Sequence, residues 1–157
     1  MKLVKKIALV LLIALVGLQL YRPDKNQSEY REVKAFEADT KPTPEITAIL
    51  ETKCYDCHSN HTEYPWYAEI APISIWIDDH IEEGKEHFDV SAWSSYSLKK
   101  KDHKLDELIE EVEEGKMPLD EYTWTHGSLT QEEKEALISW TREVRKKYAL
   151  HLPEGEE

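Results

Sequence analysis

The sequence predicts an all-α fold. Three observations carry that expectation. Apolar residues recur at three- and four-residue intervals in four segments, no segment alternates apolar with polar residues as a strand would, and glycine occurs only five times in 157 residues.

The first element is a hydrophobic helix at the N-terminus. Lys2, Lys5 and Lys6 form a basic start, and residues 7–20 are nearly all apolar. As a helix that run extends about 21 Å, short of the ~30 Å hydrocarbon core of a bilayer. Tyr21 and the stems of Lys5, Lys6 and Arg22 bring it close to spanning. The end of the run shows no small-x-small cleavage site. Residues 1–21 therefore read as an uncleaved signal anchor, with a cleaved signal peptide as the alternative. No cysteine follows the run, which excludes a lipoprotein anchor.

Residues 22–41 are polar, carry Pro23, are followed by Pro42 and lack apolar periodicity. They are expected to form a tether. Residues 42–150 are expected to form one domain, and residues 151–157 an acidic tail. The domain's first helix is predicted over 45–54, with Pro44 at a favoured first-turn position and Ile46, Ile49 and Leu50 on one face. The second covers 73–87, after Pro72, with Ile73, Trp76, Ile77, His80 and Ile81 roughly aligned. The third covers 105–114, where Leu105, Leu108, Ile109 and Val112 fall at i, i+3, i+4 and i+7, and Gly115 is a candidate C-cap. The fourth covers 131–148. Thr130 and Glu133 form a capping box ahead of an apolar face of Leu137, Trp140, Val144 and Tyr148.

The chemistry is concentrated where the first of these helices ends. Cys54-Tyr55-Asp56-Cys57-His58 contains the only two cysteines of the chain, followed directly by a histidine. This is the attachment pattern for a c-type haem. Two thiols three positions apart add across the porphyrin vinyl groups, and the adjacent imidazole becomes the proximal iron ligand. The competing readings each lack something. A thioredoxin-like pair belongs at a strand-to-helix junction, and no βαβ pattern is present. A zinc site would have to wrap Cys54, Cys57, His58 and His61 tetrahedrally around one ion within a single short segment. A structural disulfide would close over only two intervening residues.

The other axial position needs a second donor or stays open. Electron-transfer cytochromes c commonly use methionine. Met117, in Gly115-Lys116-Met117-Pro118, is the only methionine besides Met1. The alternative reading of Met117 is a core gap-filler. Six further histidines compete for the position, His126 nearest in sequence and His61, His80 and His87 closer to the motif. An open position is the third possibility. Tyr64-Pro65-Trp66-Tyr67, Trp76, Trp93, Tyr122, Trp124 and Trp140 would pack the core and line the macrocycle.

The formal net charge is −12, and the three leader lysines make the remainder three units more acidic. No basic stripe suited to nucleic acid is present, and close docking on anionic lipid heads is disfavoured. The charge serves solubility, or steering toward a partner with a basic surface, such as a redox protein. The lysine-bearing end stays inside by the positive-inside rule. The domain is therefore expected on the periplasmic side of a bacterial inner membrane, where c-type haem is attached.

Cys54-Tyr55-Asp56-Cys57-His58-Ser59-Asn60, Tyr64-Pro65-Trp66-Tyr67 and Ile70-Ala71-Pro72-Ile73-Ser74 with Trp76 resemble the bacterial haem-binding domain family, small monohaem cytochrome-c-like proteins. Gly115-Lys116-Met117-Pro118, Tyr122, His126 and residues 129–140 follow in the family's order, and Arg22-Pro23-Asp24-Lys25-Asn26 matches the stretch after its N-terminal hydrophobic segment. The likeness covers about 42–148. It implies a cytochrome-c-like helical domain around one covalent haem c, with thioethers at Cys54 and Cys57, His58 proximal and Met117 distal. It implies no substrate. The expected function is a membrane-tethered single-electron carrier rather than an enzyme. The alternatives are a peroxidase-like catalyst, with His126 or His61 as distal acid–base group, and a haem-based sensor or binding module.

Overall fold

The fold, obtained as a computed structural model, is described for residues 2–151. Residues 152–157, most of the expected acidic tail, lie outside the described residues. Among the described residues the chain forms helices and turns and no strand, and the nearest thing to a ladder is a single antiparallel bridge between Gln27 and His61.

Helix α1 (Lys2–Leu18) projects from the body with every residue exposed. Its 17 residues reach about 25 Å. Among the described residues no helix is long and apolar enough to cross a membrane.

The stretch expected to be a tether is built into the domain instead. Helix α2 (Lys34–Thr40) sends Phe36 fully into the core, where its ring meets Trp93 edge-on at 4.9 Å. Ahead of α2, Asn26 donates to Ser59 O and Thr62 Oγ1, both at 2.9 Å, and Arg31 pairs with Asp56 at 2.6 Å. The polar residues that look like linker composition in one dimension find fixed partners in three.

Helix α3 (Pro44–Lys53) starts where predicted. Thr43 accepts from the Ile46 N–H and Pro44 occupies the first turn, while Ile46, Ile49 and Leu50 are buried. Helix α4 (Tyr55–His58) is a single turn that continues α3 after a break at Cys54. A 3-10 turn (Trp66–Glu69) leads into α5 (Ile73–His87), which packs along α4. A second 3-10 turn (Val90–Ser95) carries the buried Trp93.

Helix α6 runs Leu98–Glu113, two turns longer than its apolar period suggests. Ser97 caps it, accepting from Lys100 N–H, and its lysine-rich first turn offers no apolar stripe to read. Gly115 does follow its end, at φ +73. Helix α8 (Gln131–Ala149) has the predicted capping box and lies against α6. Leu105, Ile109 and Val112 of α6 meet Leu137, Ile138, Val144 and Tyr148 of α8 in the core, and Arg145 clamps the pair by bonding Asp102 at 2.9 Å and also Asp106. The short helix α7 (Asp120–His126), not foreseen in the sequence, closes over α4.

Candidate functional site

The site is the turn α4 and the elements that hold it. Cys54 is the residue at which α3 stops, and the Cys57 and His58 N–H groups both return to Cys54 O, at 3.2 and 3.0 Å. That turn gathers the two thiols and the imidazole within five residues. Both cysteines are free and half-buried. Burial, followed by the Cys57 charge, pushes the Cys54 thiol up to about 12. Burial, followed by Asp56, pushes Cys57 up to about 11. Such thiols stay protonated at neutral pH, the opposite of the depressed values that activate a redox pair. Among the described residues no group of three or more His, Cys, Asp or Glu is arranged to hold a metal ion. His61, the fourth member of the zinc reading, turns its Nδ1 to Ser28 O at 2.7 Å.

His58 is oriented by α5. Its Nδ1 lies 2.8 Å from Gly84 O and 2.8 Å from Phe88 O. Carbonyl oxygens only accept, so Nδ1 carries the proton and donates, and Nε2 keeps its lone pair. Burial lowers the imidazole pKa, against the opposing pull of those two carbonyls, which keeps the ring neutral. Phe88 packs beside the ring at 5.6 Å. This is the tautomer and the backbone-anchored orientation that a metal-binding histidine uses. The residues present thus fit a haem iron at His58 Nε2, with two thiols beside it.

Gly84 sets how closely α5 approaches. A Cβ there would lie 3.0 Å from Cys57 O and 3.3 Å from Cys57 Cβ, so the motif rests directly on glycine backbone. Asp56, inside the motif, is buried and held by Arg31 at 2.6 Å, the Glu63 N–H at 3.2 Å and Tyr122 OH at 3.1 Å. Tyr122 belongs to α7, and its ring stacks on His126 at 3.9 Å. Burial, then Asp56, raises its phenol pKa and keeps it a donor. Lys53 reaches from the end of α3 to the last carbonyls of α7, His126 O and Gly127 O, the latter at 2.8 Å. α7 is therefore tied to the motif through Tyr122 and to the end of α3 through Lys53.

Met117 lies in the turn between α6 and α7, half-buried and packed against the core, with its N–H bonded to Glu111 O at 3.1 Å. Helix α7 begins three residues later. His126 directs Nδ1 to Tyr122 O at 3.0 Å and Thr125 Oγ1 at 2.9 Å. His80 directs its Nδ1 to Trp76 O at 2.8 Å, and His87 is exposed. Trp93 is core, whereas Trp66 and Trp124 are 78% and 79% exposed. Trp140 Nε1 is buried without a hydrogen-bond partner among the described residues.

The residues that steady the motif, Arg31, Gly84, Phe88 and Tyr122, were not singled out in the sequence as its supports. Asn26 was within reach of sequence reasoning, because it ends the Arg22–Asn26 stretch that carried part of the family resemblance.

A family described as haem-binding domain has a model that matches residues 13–143 of this chain. The match begins inside α1 and takes in α2 as well as the helices from α3 to α7 and most of α8. No curated protein and no solved structure matches.

Proposed function

Since the chain belongs to the haem-binding domain family, we propose that it is a monohaem c-type cytochrome that carries single electrons. The observation that carries this reading is His58 Nδ1 donating to Gly84 O and Phe88 O beside two free thiols. In this reading Cys54 and Cys57 hold haem c by thioethers, His58 is the proximal ligand and Met117 the distal one. The bound haem supplies a one-electron couple at its iron. The protein holds the imidazole in one tautomer through two carbonyls, keeps Asp56 and Tyr122 as a fixed polar support under the motif, and buries the surroundings away from water. Rigid ligands favour electron carriage, because little structure must rearrange when one charge arrives or leaves.

The N-terminal segment supports a location in the same reading. In the proposal α1 is a retained anchor, its lysines on the cytoplasmic side, and the domain faces the periplasm. At 25 Å α1 is short for a bilayer, so its flanking lysines snorkel and the membrane thins around it. The −12 charge suits a redox partner with a basic surface and does not suit nucleic acid.

Protein matured in a host with c-type assembly machinery tests the reading. Expected are a pyridine haemochrome of the thioether type, an intact mass that includes both haem and residues 1–21, and a far-red sulfur-to-iron band that Met117→Ala removes. Colourless protein with free thiols would overturn it. A second reading rests on His126, whose Nδ1 donates to Tyr122 O and leaves Nε2 with a lone pair. In that case His126→Ala, and not Met117→Ala, changes the spectrum. A resting high-spin spectrum with turnover of peroxide would instead favour the peroxidase-like alternative.

A further inference from the structure

The sequence places a tether between α1 and the domain, and the fold leaves no slack there. Immediately after Leu18, Gln19 grips Ala71 at two points: Nε2 donates to Ala71 O at 2.9 Å, and Oε1 accepts from Ala71 N–H at 3.1 Å. Arg22 then bonds Glu69 O, and Lys25 bonds the Glu69 carboxylate. The end of α1 is thus fastened to the corner between the first 3-10 turn and α5.

That corner is apolar and open. Ile70 and Ile73, on either side of Ala71, are 44% and 39% exposed. Trp76, one turn further along α5, is 41% exposed, and Trp66, at the start of the 3-10 turn, 78%. Next to Gln19 in the chain, Leu20 and Tyr21 are exposed as well. The carboxylate at the corner, Glu69, is paired with Lys25 and Arg22. The haem motif packs at Gly84, 11 residues beyond Ile73, about 16 Å along α5, so this corner and the motif lie at different stretches of the helix. Exposed Trp and Ile this close along the chain call for a cover, and Trp and Tyr concentrate where a bilayer meets water.

We infer that Trp66, Ile70, Ile73 and Trp76 form a membrane-seated face, with the interfacial region of a lipid bilayer as its occupant. The inference rests on α1 being embedded, as proposed above. The occupant follows from continuity: whatever surrounds the exposed apolar sides of α1 reaches the corner that Gln19 holds against its end. A helix short of the hydrocarbon thickness draws its flanking residues into the interface, and here the flanking residues are these. The contact is apolar, so neutral lipid suffices despite the acidic domain. The body then stands on the membrane in one orientation, which sets the direction in which the haem motif faces.

The test uses full-length holoprotein reconstituted in phosphatidylcholine vesicles that contain a diazirine-bearing phosphatidylcholine, with adducts mapped by mass spectrometry after illumination. Lipid adducts are expected on α1 and on the 66–76 segment, and none on α8. Substituting Ile70 and Ile73 by serine should reduce adducts on 66–76 severalfold while α1 labelling and the visible spectrum stay unchanged. Should this double variant lose its spectrum, Ile73→Ser alone serves instead, with the same direction of change expected. Adducts on α1 with none on 66–76 overturn the seating and leave the anchor standing. Absence of adducts on both overturns both readings. An unlabelled corner with a doubled particle mass assigns the face to a second copy of the chain and also overturns the proposal.

Discussion

Gly84 stands in two relations to the motif at once: its carbonyl accepts from His58 Nδ1 at 2.8 Å, and the place where its Cβ would be lies 3.0 Å from Cys57 O. The hydrogen bond that orients the imidazole therefore depends on α5 coming so close that a side chain at this position would have to push the Cys57 backbone aside.

Gly84→Ala is the first expected disturbance. In an open helix the change would stabilise by about 1 kcal/mol, but overpacking against backbone costs about 1–3 kcal/mol. The neighbour here is the Cys57 backbone, which cannot swing aside. A net loss of about 1 kcal/mol is expected in chemical denaturation, together with a shifted visible spectrum as the ring turns. A melt at or above the parent's would show that the motif yields.

Arg31 and Asp56 form a pair whose side chains are 18% and 12% exposed. Removing Arg31 leaves a carboxylate that water hardly reaches with only the Glu63 N–H and the Tyr122 OH as partners, which costs about 3 kcal/mol. Arg31→Ala should therefore destabilise strongly, and the double variant Arg31→Ala, Asp56→Asn should lose less than the two single losses added together. Full additivity in the double-mutant cycle would mean that the pair is not coupled.

Phe36 decides between tether and domain. It is fully buried among Trp93, Phe88, Tyr55 and Trp140, with ring centroids 4.9 to 6.5 Å away. Phe36→Ala is expected to remove about 3–5 kcal/mol, read from the denaturation midpoint. A loose tether would give no change.

Asp39 predicts the acid limb of stability. Burial alone would raise its pKa, but hydrogen bonds from Lys101, Trp93 and Tyr148 outweigh that and hold the carboxyl below its ordinary 3.8. A depressed carboxyl stabilises the fold fully above the unfolded value, and that contribution disappears as pH falls through the folded value. Asp39→Asn should lower stability at pH 7 by about 2 kcal/mol. The difference from the parent should shrink below about pH 4, as urea melts at a series of pH values would record.

What was legible in the chain is what local chemistry controls. The fourth helix of the domain announced itself by Thr130 and Glu133, because a capping box needs only four consecutive residues. The helix from Ile73 to His87 was bounded by Pro72 ahead of it and by its own period. The grouping of Cys54, Cys57 and His58 follows from one turn of backbone. Helix α7 was not legible: Asp120–His126 has no buried apolar residue and is held by Tyr122 and Lys53 reaching partners about seventy positions away. Helix α2 was hidden similarly, since one phenylalanine makes no period.

The sequence alone thus determined an all-α chain and the grouping of Cys54, Cys57 and His58, because these depend on spacing within a turn. The tertiary structure alone decided which nitrogen of His58 carries the proton, why a side chain at Gly84 would crowd Cys57, and that residues 22–41 belong to the domain. Those depend on groups 25 to 60 positions apart that burial brings to hydrogen-bond distance, and no local pattern records such encounters.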